Sequence, residues 1–261
     1  MIKLIATDVD GTLLDDNSNL PELNKKAILA CLDEDIGVIL ATGKSIDSVF
    51  PIVKFLNLKL PQITMNGAVV VNKDLRIINS VKIKPDDYFN VIRSIKEKGY
   101  SPLAALGKGG IFYEKYHPDM KYIERIGEKL IKIDSIETAY FSKNSVDINV
   151  PIKEDNPLDF YLRKKFSNKL EIVRAGKYFF DILNLNATKG NALCSIAKIL
   201  NIKRDEIAAF GDSYNDLSMF KEAGLKIAVK NSNSKVLEAA NLITDENYKS
   251  GFGKAIYGHI L

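Results

Sequence analysis

The stretch Ile5–Leu14, IATDVDGTLL, sets two carboxylates, Asp8 and Asp10, directly after an apolar run. The run from Lys3 to Asp8 reads as a short strand buried on both faces, the pattern of a parallel sheet. Gly11 and Thr12 follow Asp10 at once and indicate a tight functional turn, whereas a helix-capping role fits Asp15 or Asp16 better. Two carboxylates held close at a strand end either share a proton or bind a cation. A hard divalent cation answers their repulsion, and Mg2+ typically uses one or two carboxylates together with substrate phosphate oxygens and water.

Outward from this strand the chain alternates helix and strand signals. LPELNKKAILACLDEDI carries Leu23, Ala27, Ala30 and Cys31 at helical spacing, with Pro21 in the first turn, where its missing N–H does no harm. GVILATG is a second buried strand and PQITMNG a third. Between them, Ile46, Val49, Val53 and Leu56 mark a helix that Pro51 is expected to kink or delay. AVVVNKDLRIINSVKI then reads as a hairpin around Asn72, Lys73 and Asp74. Between about Val81 and Asn184 helices and strands mix, and from Lys189 the simpler alternation returns. This pattern predicts a doubly wound parallel α/β sheet, residues 1–81 and 185–261, interrupted by an inserted α/β domain, residues 82–184. Ligands of such sheets gather at the carboxyl ends of the strands, where TDVDGT, ATGKS, MNG and GDSYND all fall.

Bulk properties exclude several classes. Of 261 residues, 46% are hydrophobic and 27% charged, which is ordinary globular composition rather than disorder. No apolar run approaches the roughly 20 residues of a membrane span. An aspartate where a signal peptide has its apolar core predicts a cytoplasmic protein. The net charge of +4, from 37 basic and 33 acidic residues, is scattered without the dense basic block of a nucleic-acid binder. Cys31 and Cys194 sit in apolar helical patterns and are expected as buried free thiols. His117 and His259 lack a partner at metal-ligand spacing and read as surface or structural residues.

The remaining polar clusters complete a phosphate chemistry. GDSYND supplies Asp212 and Asp216 at another strand end, with Asn215 between them. ATGKS offers the Thr42 hydroxyl and the small Gly43, whose N–H can approach an anion closely. Lys189 puts an ammonium at the start of a helix, where anions are already favoured.

In order along the chain, Asp8-Val-Asp10-Gly-Thr12, Thr42-Gly43, Lys189 and Gly211-Asp212-Ser-Tyr-Asn215-Asp216 resemble the four motifs of the haloacid dehalogenase superfamily, in its Cof-type branch. The inserted segment resembles that branch's type 2 cap. The resemblance implies a Mg2+-dependent phosphatase acting on a small phosphorylated metabolite, first of all a sugar phosphate. It makes Asp8 the nucleophile that forms an aspartyl-phosphate, and Asp10 the acid and then the base. Asp8, Asp212 and the backbone carbonyl of Asp10 are implied as metal ligands, with Asp216 on the metal or beside it. Thr42, Gly43 and Lys189 would hold phosphoryl oxygens, and Asn215 would orient the phosphate or its surroundings. Lys44 stands where the branch usually has Arg, Lys230 where Gly is common, and Asp181 where Glu is frequent on the strand leaving the cap. Tyr113, Tyr116 and Arg174 are candidates for contacting the leaving group. The alternatives are a phosphomutase or phosphotransferase on the same scaffold, or a non-catalytic phosphometabolite-binding regulator.

Overall fold

A computed structural model describes residues 1–125, 127–153, 156–175 and 179–261. Its strands are β1 (Leu4–Thr7), β2 (Gly37–Leu40), β3 (Gln62–Thr64), β4 (Val69–Val71) and β5 (Ile77–Ser80), followed by β6 (Leu103–Ala105), β7 (Ile111–Tyr113) and β8 (Leu130–Lys132). Then come β9 (Asp147–Pro151), β10 (Leu170–Ala175), β11 (Phe179–Asn184), β12 (Ile207–Gly211), β13 (Leu225–Val229) and β14 (Leu242–Thr244).

Five strands form a wholly parallel sheet in the order β14-β13-β12-β1-β2. A parallel bridge from Ala41 to Ile63 carries the sheet on to β3, which pairs antiparallel with β4 and through it with β5. Side chains alternate across a strand, so each central strand serves two cores. Ile5, Val38, Leu40, Ala208 and Phe210 pack with the helices Glu22–Asp33, Ile46–Phe55 and Gly251–His259. Leu4, Ala6, Ile39, Ile207 and Ala209 face the helices Lys189–Ile199, Leu217–Glu222 and Ser234–Ala239. This is the doubly wound arrangement expected from the sequence.

The six strands between Leu103 and Asn184 form a second sheet, ordered β10-β11-β9-β6-β7-β8 and antiparallel except for β7 and β8. One face packs on the helices Pro85–Glu97 and Pro157–Phe166 through Ile148, Val150, Phe180 and Ile182. The other face joins the first body in an apolar cluster that includes Leu103, Ala105 and Phe179 with Met65, Val69 and Ile46. Period-2 alternation therefore turns Asp147, Asn149 and Asp181 toward the carboxyl edge of the parallel sheet. Asn149 and Asp181 are direct cross-strand partners.

Two expectations need correction. The helix Ile46–Phe55 runs through Pro51 without a break. Pro51 is exposed, so the carbonyl it leaves without a donor can turn to water. Cys31 is fully buried, and burial pushes its thiol up to about 11, but Cys194 is only half-buried. It lies at the boundary of its helix's apolar face, between buried Leu193 and exposed Ser195.

Candidate active site

Asp8 continues the β1 ladder, its N–H donating to Phe210 O of β12 at 3.0 Å. The chain then makes one wide turn, Val9–Leu13, that depends on Gly11. Gly11 has φ +81°, and a Cβ there would lie 2.8 Å from Asp212 Oδ2. The turn sends Thr12 Oγ1 to donate to Asp212 Oδ1 at 3.0 Å, joining the first and last motifs.

The ammonium of Lys189 lies between two carboxylates, 2.6 Å from Asp8 Oδ1 and 2.7 Å from Asp216 Oδ1, with its side chain 0% exposed. Burial alone would lower its pKa, but Asp216 and Asp8 outweigh burial and hold it above the usual lysine value. Asp216 Oδ2 accepts from the N–H groups of Asp212 and Ser213, both at 3.0 Å, so both of its oxygens already have donors. Asp8 Oδ2, by contrast, accepts no hydrogen bond among the described residues. Carboxylate oxygens of Asp8, Asp212 and Asp216 come within 4.8 Å of one another. Burial, with Asp216 as a further cause in each case, raises the pKa of Asp8 well above the ordinary carboxyl value and that of Asp212 to about 6. Lys189 works against the rise in both. Three carboxylates against one ammonium is a donor set that fits a hard cation.

Asp10 stands apart from this cluster. Its side chain is 46% exposed and meets Lys44 Nζ at 2.7 Å. Lys44 thus contacts an acid of the first motif, a role visible only once the two strand ends are adjacent. Thr42 Oγ1 accepts from Lys44 N–H at 3.1 Å, leaving its own O–H to donate. Gly43 is close to Asn66, where an added Cβ would sit 3.1 Å from Oδ1.

These groups border a cavity of about 260 Å³. Asp8, Asp10, Thr42, Gly43 and Asn215 line it from the parallel sheet, and Glu128, Asn149, Arg174, Phe179 and Asp181 from the second sheet and its connections. Tyr113 and Tyr116 are not among the lining residues; they meet each other edge to face with centroids 6.0 Å apart. Asn231 donates from Nδ2 to Gly11 O at 2.8 Å and so steadies the first turn.

Sequence reasoning missed a polar chain that crosses the cavity wall. Asn215 Nδ2 donates to Asn66 Oδ1 at 2.9 Å, and Asn66 Nδ2 to Asp181 Oδ2 at 2.8 Å. Asn149 Nδ2 donates to Asp181 Oδ1 at 2.7 Å and to Asp147 Oδ2 at 2.9 Å. Burial raises Asp181 to about 6 even though Asn149 and Asn66 favour its charged form. The available signal was a polar residue breaking each apolar strand, in VDINV and FFDIL. For Glu128 no such signal existed.

Fold and site together define a Rossmann-type α/β protein with aspartates and one buried lysine at the carboxyl edge of its parallel sheet. The chain belongs to the family of haloacid dehalogenase-like hydrolases, whose model matches residues 5–256. It is 27% identical to phosphatase YwpJ of Bacillus subtilis (strain 168), over 96% of this chain and 97% of that one. It is also 27% identical to the 5-amino-6-(5-phospho-D-ribitylamino)uracil phosphatase YcsE of the same bacterium, over 100% of this chain and 96% of YcsE. Among solved structures, TM0651 from Thermotoga maritima superposes with a TM-score of 0.85 at 28% identity, covering 98% of this chain and 97% of its own. BT1666 from Bacteroides thetaiotaomicron, studied among the phosphatases of this superfamily, gives 0.86 at 26% identity, covering 98% and 94%. The chain is a phosphatase of this family. Among the described residues no helix is long and apolar enough to cross a membrane.

Proposed function

We propose that this phosphatase hydrolyses a small phosphorylated metabolite, a sugar or polyol phosphate, through an aspartyl-phosphate on Asp8. The observation that carries the reading is Asp8, which borders the cavity with Oδ2 accepting no hydrogen bond among the described residues, while Lys189 fixes the other oxygen of the same carboxylate. A carboxylate oriented by one oxygen presents the second as a nucleophile. Asp8 and Asp212, with the backbone carbonyl of Asp10, would hold Mg2+, and Asp216 would orient Lys189 and the Asp212–Ser213 backbone. When bound, the ion neutralises phosphoryl charge and aligns the ester for in-line displacement.

In the first step Asp8 Oδ2 forms a bond to phosphorus as the ester P–O bond breaks. Asp10 gives its proton to the departing alcohol oxygen. In the second step Asp10 takes a proton from water, water oxygen bonds to phosphorus, and the Asp8–phosphorus bond breaks to restore the carboxylate. Thr42 O–H, the Gly43 N–H and Lys189 stabilise the phosphoryl oxygens. Residues 1–81 and 185–261 would carry this chemistry, and residues 82–184 would select the alcohol, consistent with their share of the cavity wall. The sugar or polyol assignment is supported by YcsE, a relative named for a phosphate ester of a ribitylamino compound.

Asp8→Asn tests the mechanism. With Mg2+ and p-nitrophenyl phosphate, its kcat is expected to fall by more than about 10³-fold at an unchanged circular-dichroism spectrum. Retained turnover would refute it. Inorganic phosphate released one for one with alcohol separates hydrolysis from transfer to a second acceptor.

A further inference from the structure

Among the described residues, the cavity wall opposite Asp8 is rich in acceptors and poor in free cations. Glu128 is 7% exposed, and its Oε1 accepts from Ser45 N–H at 2.8 Å. This places the carboxylate at the amino end of the helix Ile46–Phe55, where negative charge is favoured. Glu128 Oε2 is buried without a donor among the described residues. Asn149 is equally buried, and both carboxylates bracketing its amide, Asp147 and Asp181, require the NH2 group to point at them. That fixes the amide orientation and leaves Asn149 Oδ1 also without a donor among the described residues. An orphaned buried acceptor is costly, so two of them on one cavity wall mark the places where a ligand supplies donors.

Among the described residues, the cations bordering the cavity are Lys44 and Arg174. Lys44 donates to Asp10 at the phosphate end. Arg174 donates to Ile152 O at 3.0 Å and Lys153 O at 3.2 Å, and its guanidinium lies 3.9 Å from Asp159. Beyond the phosphate end, the wall thus presents the carboxylates of Glu128 and Asp181 beside the apolar surfaces of Ile111, Ile123, Met65 and Phe179. A hydroxylated carbon chain suits both features, its O–H groups donating to the oxygens and its C–H faces lying on the apolar side chains. A second anionic group on the alcohol meets like charge, with no free cation beyond the phosphate end among the described residues to receive it.

We infer that Glu128 is a specificity-determining residue of this phosphatase: with Asn149 it accepts hydrogen bonds from hydroxyls of the alcohol, and its charge turns away esters whose alcohol bears a second anion. The inference rests on the hydrolytic reading above. The test compares three esters: p-nitrophenyl phosphate, a hexose monophosphate, and the aldonate of the same hexose phosphate, which differs by a terminal carboxylate. For the wild type, kcat/KM on the hexose phosphate is expected to exceed that on the aldonate by at least about tenfold. Glu128→Gln keeps an acceptor for Ser45 N–H, removes the charge, and is expected to bring that ratio within about threefold, through a lower KM for the aldonate. Because the readout is a ratio within one enzyme, a change in total activity cancels. Glu128→Ala provides the same ratio if the glutamine variant does not fold. Equal wild-type rates on the two sugar esters, or a ratio unmoved by either variant, would overturn the inference while p-nitrophenyl phosphate turnover lost in Asp8→Asn leaves the hydrolytic reading intact. No wild-type turnover of any of the three esters would overturn both.

Discussion

Replacing Lys189 by Met removes the one buried ammonium that touches both Asp8 and Asp216, while keeping most of its side-chain volume. Two unit charges about 4 Å apart attract by about 4 kcal/mol at an effective dielectric of about 20, and Lys189 makes two closer contacts, at 2.6 and 2.7 Å. Desolvation of the ammonium offsets much of that attraction, so the gross energy is not the cost of the substitution. What remains after Lys189→Met is a set of buried carboxylates without a counter-charge. Removing one partner of a buried pair costs about 3–5 kcal/mol. At about 2–4 °C per kcal/mol for a chain of this size, the melting temperature in EDTA should fall by about 6–20 °C. The deficit should be largest at alkaline pH and shrink as pH is lowered, because protonation of Asp8 removes the unpaired charge. Added Mg2+ should raise the melting temperature of the variant more than that of the wild type, since the ion becomes the only available counter-charge. Scanning calorimetry across pH, with and without Mg2+, measures all three effects. A variant melting within about 2 °C of the wild type in EDTA at neutral pH would refute this account of the cluster.

Two further perturbations address the supports of the site. Gly67 has φ +94°, and a Cβ there would collide with the Thr188 carbonyl and lie 2.7 Å from Lys189 N. Gly67→Ala should therefore cost at least about 2 kcal/mol in chemical denaturation, and an effect below about 0.5 kcal/mol would show that the turn can move aside. Asp181 is buried, and its folded carboxyl, raised from 3.8 to about 6, holds its proton more tightly than the unfolded chain does. Stability contributed by this group is thus greatest below the unfolded value and falls as pH rises toward about 6, by up to ~3 kcal/mol. Asp181→Asn gives up one of the two amide bonds and should be less stable at acid pH, but its stability should depend less steeply on pH over that window. Denaturation curves at several pH values would contradict this if the two slopes coincide.

The alternating signals around Asp8, the second strand and GDSYND were sufficient to read a doubly wound sheet, because a strand buried on both faces leaves an unbroken apolar run. The same strand-end logic placed Asp8, Asp10, Thr42 and Asp212 at one edge, since a parallel sheet sends all its carboxyl ends there, and Lys189 was read from the start of a helix. The Asp10–Lys44 contact was not legible, because sequence order says nothing about which two strand ends come close enough to touch. Asn66 was hidden in the third strand's end for the same reason: its importance lies in bonds to Asp181 and Asn215, 115 and 149 positions away.

Sequence by itself determined the layers and which polar residues stand at the strand ends, since hydrophobic periodicity and strand-end position are local properties of the chain. Only the tertiary structure decided how the two sheets meet. Strand pairing of β9 with β11 sets Asn149 opposite Asp181, and the packing of one sheet on the other brings Glu128 to Ser45 across 83 positions. Those contacts join segments with no shared local pattern, so their energies exist only once both sheets are formed and docked. The opening pair of acids shows the same division. TDVDGT announces two carboxylates, but it is Lys189, far along the chain, that ties one oxygen of Asp8, while the other accepts no hydrogen bond among the described residues.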